Sequence, residues 1–414
     1  MKKFLKILLS IFGLLILGIL GYTYFAYNAW SVGEVAGLHE RSGLKYYKDS
    51  YIECRAAFRE KGAKLKSQFD SVETFPVEVK SNTDKDLTID VCYVPATGKK
   101  TRLLILTSGI HGIEGYVGSA VQQMVMEEFI KPELLSGTGV LFVHAMNPYG
   151  FKYSRRVTEN NVDLNRNSDI DSSLFANENK GYHELYGMLN PNDKANTGSL
   201  RNQLFMLVAF EKMISKSMSA LRQAILQGQY QHPEGLYFGG KTFEPQLRSI
   251  APLLVKYGKD YDKVLEIDLH TGYGELGTLH VFPNPVKDPK VKSAIKQVFS
   301  GYKIDWADTE GFYTITGSFS DFVGKLFPGK LCLPTSFEYG TLNSQTTMGS
   351  IHSIHNMILE NEGFHYGYTT NESTAQIREN FREMYYPSSL SWRSKVINDT
   401  RKMMISTFKN LKEL

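Results

Sequence analysis

Residues 102–115 read RLLILTSGIHGIEG. The run from Arg102 to Thr107 is apolar and closes on Ser108-Gly109, the pattern of a buried strand that ends in a sharp turn. Beyond it, Gly118–Ile130 repeats apolar residues at helical spacing, and Gly139–Ala145 returns to strand. Upstream, Phe75–Val79 and Leu87–Tyr93 flank the polar stretch Ser81–Asp84 and predict a hairpin. Strand, helix and strand at this pace predict an α/β fold. The expected architecture is a single domain with a mixed, largely parallel β-sheet flanked by helices.

Further along, Val264–Leu269 predicts a strand just before His270, and Ser391–Leu411 a helix. Between residues 168 and 257 the character changes. Asn177–Ser199 is polar and predicts a loop, and Leu200–Gln227 predicts one long helix. His232–Lys241 (HPEGLYFGGK) is Gly-rich but lacks the GK[ST] ending of a phosphate cradle, so it reads as a turn. We take 168–257 as an insertion in a domain spanning 75–414, preceded by a helical lead-in over 31–74.

The chain has 414 residues, 42% of them hydrophobic, enough to bury a large core and to exclude wholesale disorder. Lys2, Lys3 and Lys6 supply three of the four net positive charges. The rest is nearly balanced, which argues against a nucleic-acid surface built on bulk charge. The cysteines, Cys54, Cys92 and Cys332, are scattered and odd in number, which fits neither a disulfide framework nor a thiolate metal site.

After Lys6 no charge occurs until Glu34, and Ile7–Tyr27 is uncharged and predominantly apolar. A bilayer core about 30 Å thick needs roughly 20 helical residues, which this stretch supplies. Tyr22, Tyr24, Tyr27 and Trp30 gather at one end, as interfacial aromatics do, and the lysines mark the other end as cytoplasmic. Residues 1–30 therefore predict a membrane anchor with the rest of the chain outside the cytoplasm. The alternative is a secreted protein after signal cleavage, although Tyr24 and Tyr27 fill positions where cleavage wants small residues.

Four short segments carry candidate chemistry. SGIHGIEG places His111 and Glu114 on a turn at a strand's carboxyl end, where an imidazole and a carboxylate can aim at one metal ion. NPYGFKYSRRVTENNVDLNRN (Asn147–Asn167) gathers Arg155, Arg156, Asn165 and Arg166 without core spacing. It reads either as a solvated basic turn or as a pocket for a carboxylate or an oxyanion. LEIDLHTGYG ends a strand on His270, and LPTSFEYGT carries Glu338 after an apolar stretch. Singly, such a histidine is more often structural and such a glutamate a surface charge.

In this order, His-x-x-Glu, Asp-Leu-Asn-Arg-Asn, Leu-His-Thr-Gly and Phe-Glu-Tyr-Gly-Thr, the chain resembles the carboxypeptidase-A-like zinc peptidases, and among them a little-characterised bacterial branch. The resemblance spans roughly Phe75 to Asn343. It implies that His111, Glu114 and His270 bind one zinc ion and that Glu338 is the general base. It further implies that Asn165 and Arg166 grip a substrate's terminal carboxylate and that Tyr313 closes over the substrate. Arg156 matches the arginine that polarises the scissile carbonyl, with the adjacent Arg155 as the other candidate. Two imidazoles and one carboxylate would leave zinc a net positive charge and an open position, suited to activating water. The implied substrate is a peptide or an acyl-amino acid. An aspartoacylase-like zinc amidase shares His-x-x-Glu and Asn-Arg, and a non-catalytic binding protein on the same fold is a third reading.

A reporter fused after Leu414 is expected to be active outside the cytoplasm, and removing residues 1–30 is expected to yield soluble protein. Reporter activity in the cytoplasm would overturn this orientation.

Overall fold

The apolar runs pair edge to edge into one sheet. In this computed structural model, which describes residues 2–22, 32–37, 39–283, 286–306 and 315–414, the strands are β1 (Glu73–Glu78), β2 (Thr88–Val94), β3 (Thr97–Ser108), β4 (Ser136–His144), β5 (Lys263–Thr271), β6 (Leu279–Pro283) and β7 (Leu331–Tyr339). Their order is β1-β2-β4-β3-β5-β7-β6. The central four, β4, β3, β5 and β7, are parallel. The pairings β1–β2, β2–β4 and β6–β7 are antiparallel, so the sheet is mixed, as expected. The central strands are buried over their carboxyl halves on both faces, which is why they read as continuous apolar runs and do not alternate.

An apolar helix, α1 (Lys2–Tyr22), is long enough to cross a membrane and has no buried residue. Tyr24, Tyr27 and Trp30 of the expected aromatic belt lie outside the described residues. Next come α2 (Tyr51–Gln68), whose first turn is capped by Ser50 and Glu53, and α3 (Gly115–Glu128). Gly118 lets α3 lie directly on β3, since a Cβ there would stand 2.5 Å from Ser108 Cβ. Gln122 on α3 donates to the carbonyls of Leu106 and Val143, tying β3 to β4 near their carboxyl ends. Two short helices, α4 (Pro148–Lys152) and α5 (Leu164–Asn167), follow β4.

The 168–257 segment departs from expectation twice. The polar stretch expected as a loop contains α6 (Lys180–Leu189), which buries Tyr182, Leu185 and Leu189 at helical spacing and is capped by Asn179. The single helix expected over Leu200–Gln227 is three: α7 (Leu200–Gln203), α8 (Phe205–Ser215) and α9 (Met218–Leu226). Lys216 and Ser217 are extended, and the Ser217 hydroxyl accepts from Ala220 N, so a cap interrupts the apolar pattern. The chain returns to the sheet through α10 (Pro245–Gly258).

Beyond β5 lie α11 (Pro289–Val298), α12 (Phe319–Lys325), α13 (Thr347–Tyr366), α14 (Asn371–Tyr385) and α15 (Leu390–Glu413). Helices α2, α3, α11 and α15 cover one face of the sheet and α10 and α12 the other. Helices α6, α8, α9, α13 and α14 form a second apolar cluster, which meets the sheet's edge through Ile113, Tyr237 and Tyr385. Helix α15 is pinned behind the end of β7, where fully buried Trp392 donates Nε1–H to Gly340 O at 2.8 Å.

Trp392→Ala empties that site and is expected to cost about 3–5 kcal/mol in urea unfolding. A loss below about 1 kcal/mol would show that α15 is not what secures this end of β7.

Candidate active site

The site forms where β3 and β5 end side by side. After Ser108 the chain turns at Gly109, whose φ of +68° favours glycine. His111 then precedes a tight turn over Gly112–Glu114. Gly112 touches the backbone of Gly150, where a Cβ would stand 2.1 Å from Gly150 C. Gly112 N and Ile113 N donate to the carbonyls of Arg156 and Arg155, so the arginine-bearing loop braces the His111 turn.

His270 reaches the same point from β5. Its Nδ1 lies 3.2 Å from His111 Nδ1 and 2.9 Å from Glu114 Oε2, while His111 Nδ1 lies 2.9 Å from Glu114 Oε1. All three side chains are buried, and their ligand atoms lie within 4.8 Å of one another. The outer nitrogens face carboxylates. His270 Nε2 is 2.6 Å from Asp268 Oδ2, and Thr107 Oγ1 donates to Asp268 Oδ1 at 2.6 Å. His111 Nε2 stands 3.2 Å from Asp163 Oδ1 but off hydrogen-bond alignment, which leaves that buried nitrogen unpartnered. Two inward imidazole nitrogens, one carboxylate, and an acid behind each ring fit a zinc ion in donor type and in outer support.

Glu338 pairs with His270 across β5 and β7 and lines the same cavity; its Oε2 is buried without a partner. Burial pushes its pKa up to about 8, with His270 opposing and Glu114 adding to the rise. Burial also works to raise the Glu114 carboxyl, but His111 and His270 hold it at about 2. For His270 burial opposes the charge, yet Asp268 and Glu114 keep its pKa well above the ordinary imidazole value.

Arg156 also lines the cavity. Its Nε donates to Asp163 Oδ2 at 3.1 Å, and one terminal nitrogen stands 3.5 Å from both Glu114 Oε1 and the Tyr385 hydroxyl. Arg155 does not reach the cavity. It is buried in an ion pair with Glu360 at 2.7 Å and lies 3.4 Å over the Phe364 ring, held by α13. Asn165 and Arg166 line the cavity, but much of their bonding is structural. Asn165 Oδ1 accepts from Phe319 N, and the Arg166 guanidinium donates to the carbonyls of Leu226 and Asn165. Tyr313 lies outside the described residues.

Sequence reasoning missed Asp163, Asp268, Thr107 and Tyr385. Asp268 left a trace: an acid two residues before a histidine on one strand shares its face. Tyr385, on α14, left none.

Residues 47–399 match the family described as a protein of unknown function, DUF2817. The chain belongs to that family. No curated protein matches it. Among solved structures, bovine thrombin-activatable fibrinolysis inhibitor in complex with tick carboxypeptidase inhibitor is 14% identical, with a TM-score of 0.44 over 81% of this chain and 97% of that one. Carboxypeptidase A from Helicoverpa armigera is 14% identical, with a TM-score of 0.40 over 80% and 74%. An aspartoacylase family protein from Mesorhizobium loti is 17% identical, with a TM-score of 0.34 over 72% and 67%.

If the cluster holds a metal, His111→Ala or His270→Ala should remove most of the zinc from this DUF2817 chain. Asp268→Asn, which keeps the shape but weakens the brace on His270, should loosen zinc about 10- to 100-fold in a chelator competition. Unchanged affinity in all three variants would overturn the site.

Proposed function

We propose that the chain is a zinc-dependent hydrolase that cleaves an amide bond near a free carboxylate. The observation that carries this reading is the convergence of His111, Glu114 and His270 in one cavity with an unpartnered carboxyl oxygen of Glu338. Zinc, when bound, supplies a positive charge that polarises the carbonyl and acidifies water. Glu338 takes the proton of the attacking water and delivers it to the leaving amine. Arg156, oriented by Asp163, faces the oxygen that gains charge as the carbonyl carbon becomes tetrahedral, a role commonly worth 10²–10³ in rate. Asn165 and Arg166 take the terminal carboxylate. Filled ligand and base positions favour this over a non-catalytic binding role. We read α1 as the anchor that holds the domain outside the cytoplasm, and removal of α1 as a signal as the alternative.

Incubating zinc-loaded protein with mixed peptides and acyl-amino acids, with products read by mass spectrometry, tests the reaction class. Glu338→Gln should retain zinc yet lower turnover about 100-fold or more. Glu114→Gln should lose metal as well as rate. If neither change altered hydrolysis, the catalytic assignment would be wrong.

A further inference from the structure

The cavity that holds these groups continues into an apolar chamber. Helices α8, α9 and α13 each turn a stripe toward it at helical spacing: Ala209 and Met213, Leu221 and Ile225, Ile351 and Ile354. In an ordinary core such stripes interdigitate, because a gap forfeits the dispersion contacts of every wall atom. Here they border a cavity open to solvent that is continuous with His111 and Glu338.

Charge narrows the occupant. Among the described residues lining the cavity, the charged ones apart from Glu114 and Glu338 are Arg156, Arg166, Lys212 and Arg222, all cationic. A ligand matching both features carries a carboxylate and a long apolar chain. The apolar helix α1 and the exposed Leu200 and Ile214 beside the chamber's helices suit a substrate that partitions into membranes.

We infer that the substrate is an N-acyl amino acid or short N-acylated peptide whose long alkyl chain fills this chamber. The inference rests on the amide-hydrolase reading above. In the reaction the amide C–N bond breaks and water's oxygen bonds to the acyl carbon. A proton passes to the amine, giving a fatty acid and a free amino group.

The test compares N-acetyl, N-octanoyl and N-dodecanoyl derivatives of one amino acid, using the zinc-loaded full chain in lipid nanodiscs. kcat/KM should rise about fourfold per added methylene until the chamber fills. Ile354→Glu and Ala209→Trp, on different helices, should each cut the dodecanoyl-to-acetyl ratio at least tenfold. Calorimetry of N-dodecanoylglycine with Glu338→Gln, against empty nanodiscs, should show saturable binding that N-acetylglycine lacks. Equal rates along the series, or an equal gain from a phenylalanyl side chain, would overturn the inference and leave the hydrolase reading intact. Saturable binding without hydrolysis of any amide would do the reverse. Neither binding nor hydrolysis would overturn both.

Discussion

A 2.6 Å hydrogen bond from Thr107 Oγ1 to Asp268 Oδ1 ties β3 to β5 at the edge where His111 and His270 emerge. It fixes a register in which Thr107 faces Asp268 and Ser108 faces Leu269. Because side chains alternate along a strand, a slip of one residue would turn Asp268 and His270 to the opposite face together. The next strand obeys the same constraint, since His270 pairs with Glu338. Three groups from three distant stretches thus meet because parallel strands keep a common register. The chain moves from β3 to β4 on one side and later to β5 on the other, so the cleft opens where the strand order reverses.

The electrostatics around this edge are unbalanced in a way that suits a dication. Glu114, Asp163 and Asp268 are buried and face two imidazoles and the guanidinium of Arg156. Deeper on the same strand, Glu266 is fully buried, and burial and Asp268 push its pKa well above the ordinary carboxyl range, so it stays neutral. Held as metal ligands the two imidazoles would be neutral, leaving the three carboxylates to Arg156 and, at Asp163, to Arg166. Buried carboxylate charge left over is costly unless compensated. A divalent cation held by the three ligand atoms would supply that compensation.

The buried sheet and the His-x-x-Glu turn were legible because each leaves a local mark: a strand covered on both faces reads as RLLILT, and a three-residue spacing reads as a paired turn. The choice between Arg155 and Arg156 was not legible. Adjacent loop residues share composition, and what separates them is Asp163 on one side and Glu360, far along the chain on α13, on the other. The breaks within 200–227 and the helix within 177–199 were hidden by composition. Ser217 caps α9 within a stretch whose apolar spacing runs on across the break, and α6 carries its apolar stripe under a polar majority.

The division between the two apolar clusters bears on how such a site acquires selectivity. The groups assigned to chemistry stand on the sheet's edge and its first turns, braced by backbone hydrogen bonds and by the larger core. The chamber stands on helices that belong mostly to the smaller cluster, joined to the sheet's edge through Ile113, Tyr237 and Tyr385. Tyr385 touches both sides: its hydroxyl faces Arg156, and its carbonyl accepts from Thr271 Oγ1 beside His270. Changes to the helix faces can therefore alter chamber shape while the ligand geometry persists. A change at Tyr385 alters both at once, because α14 transmits the position of the helical cluster directly to the guanidinium and to the end of β5.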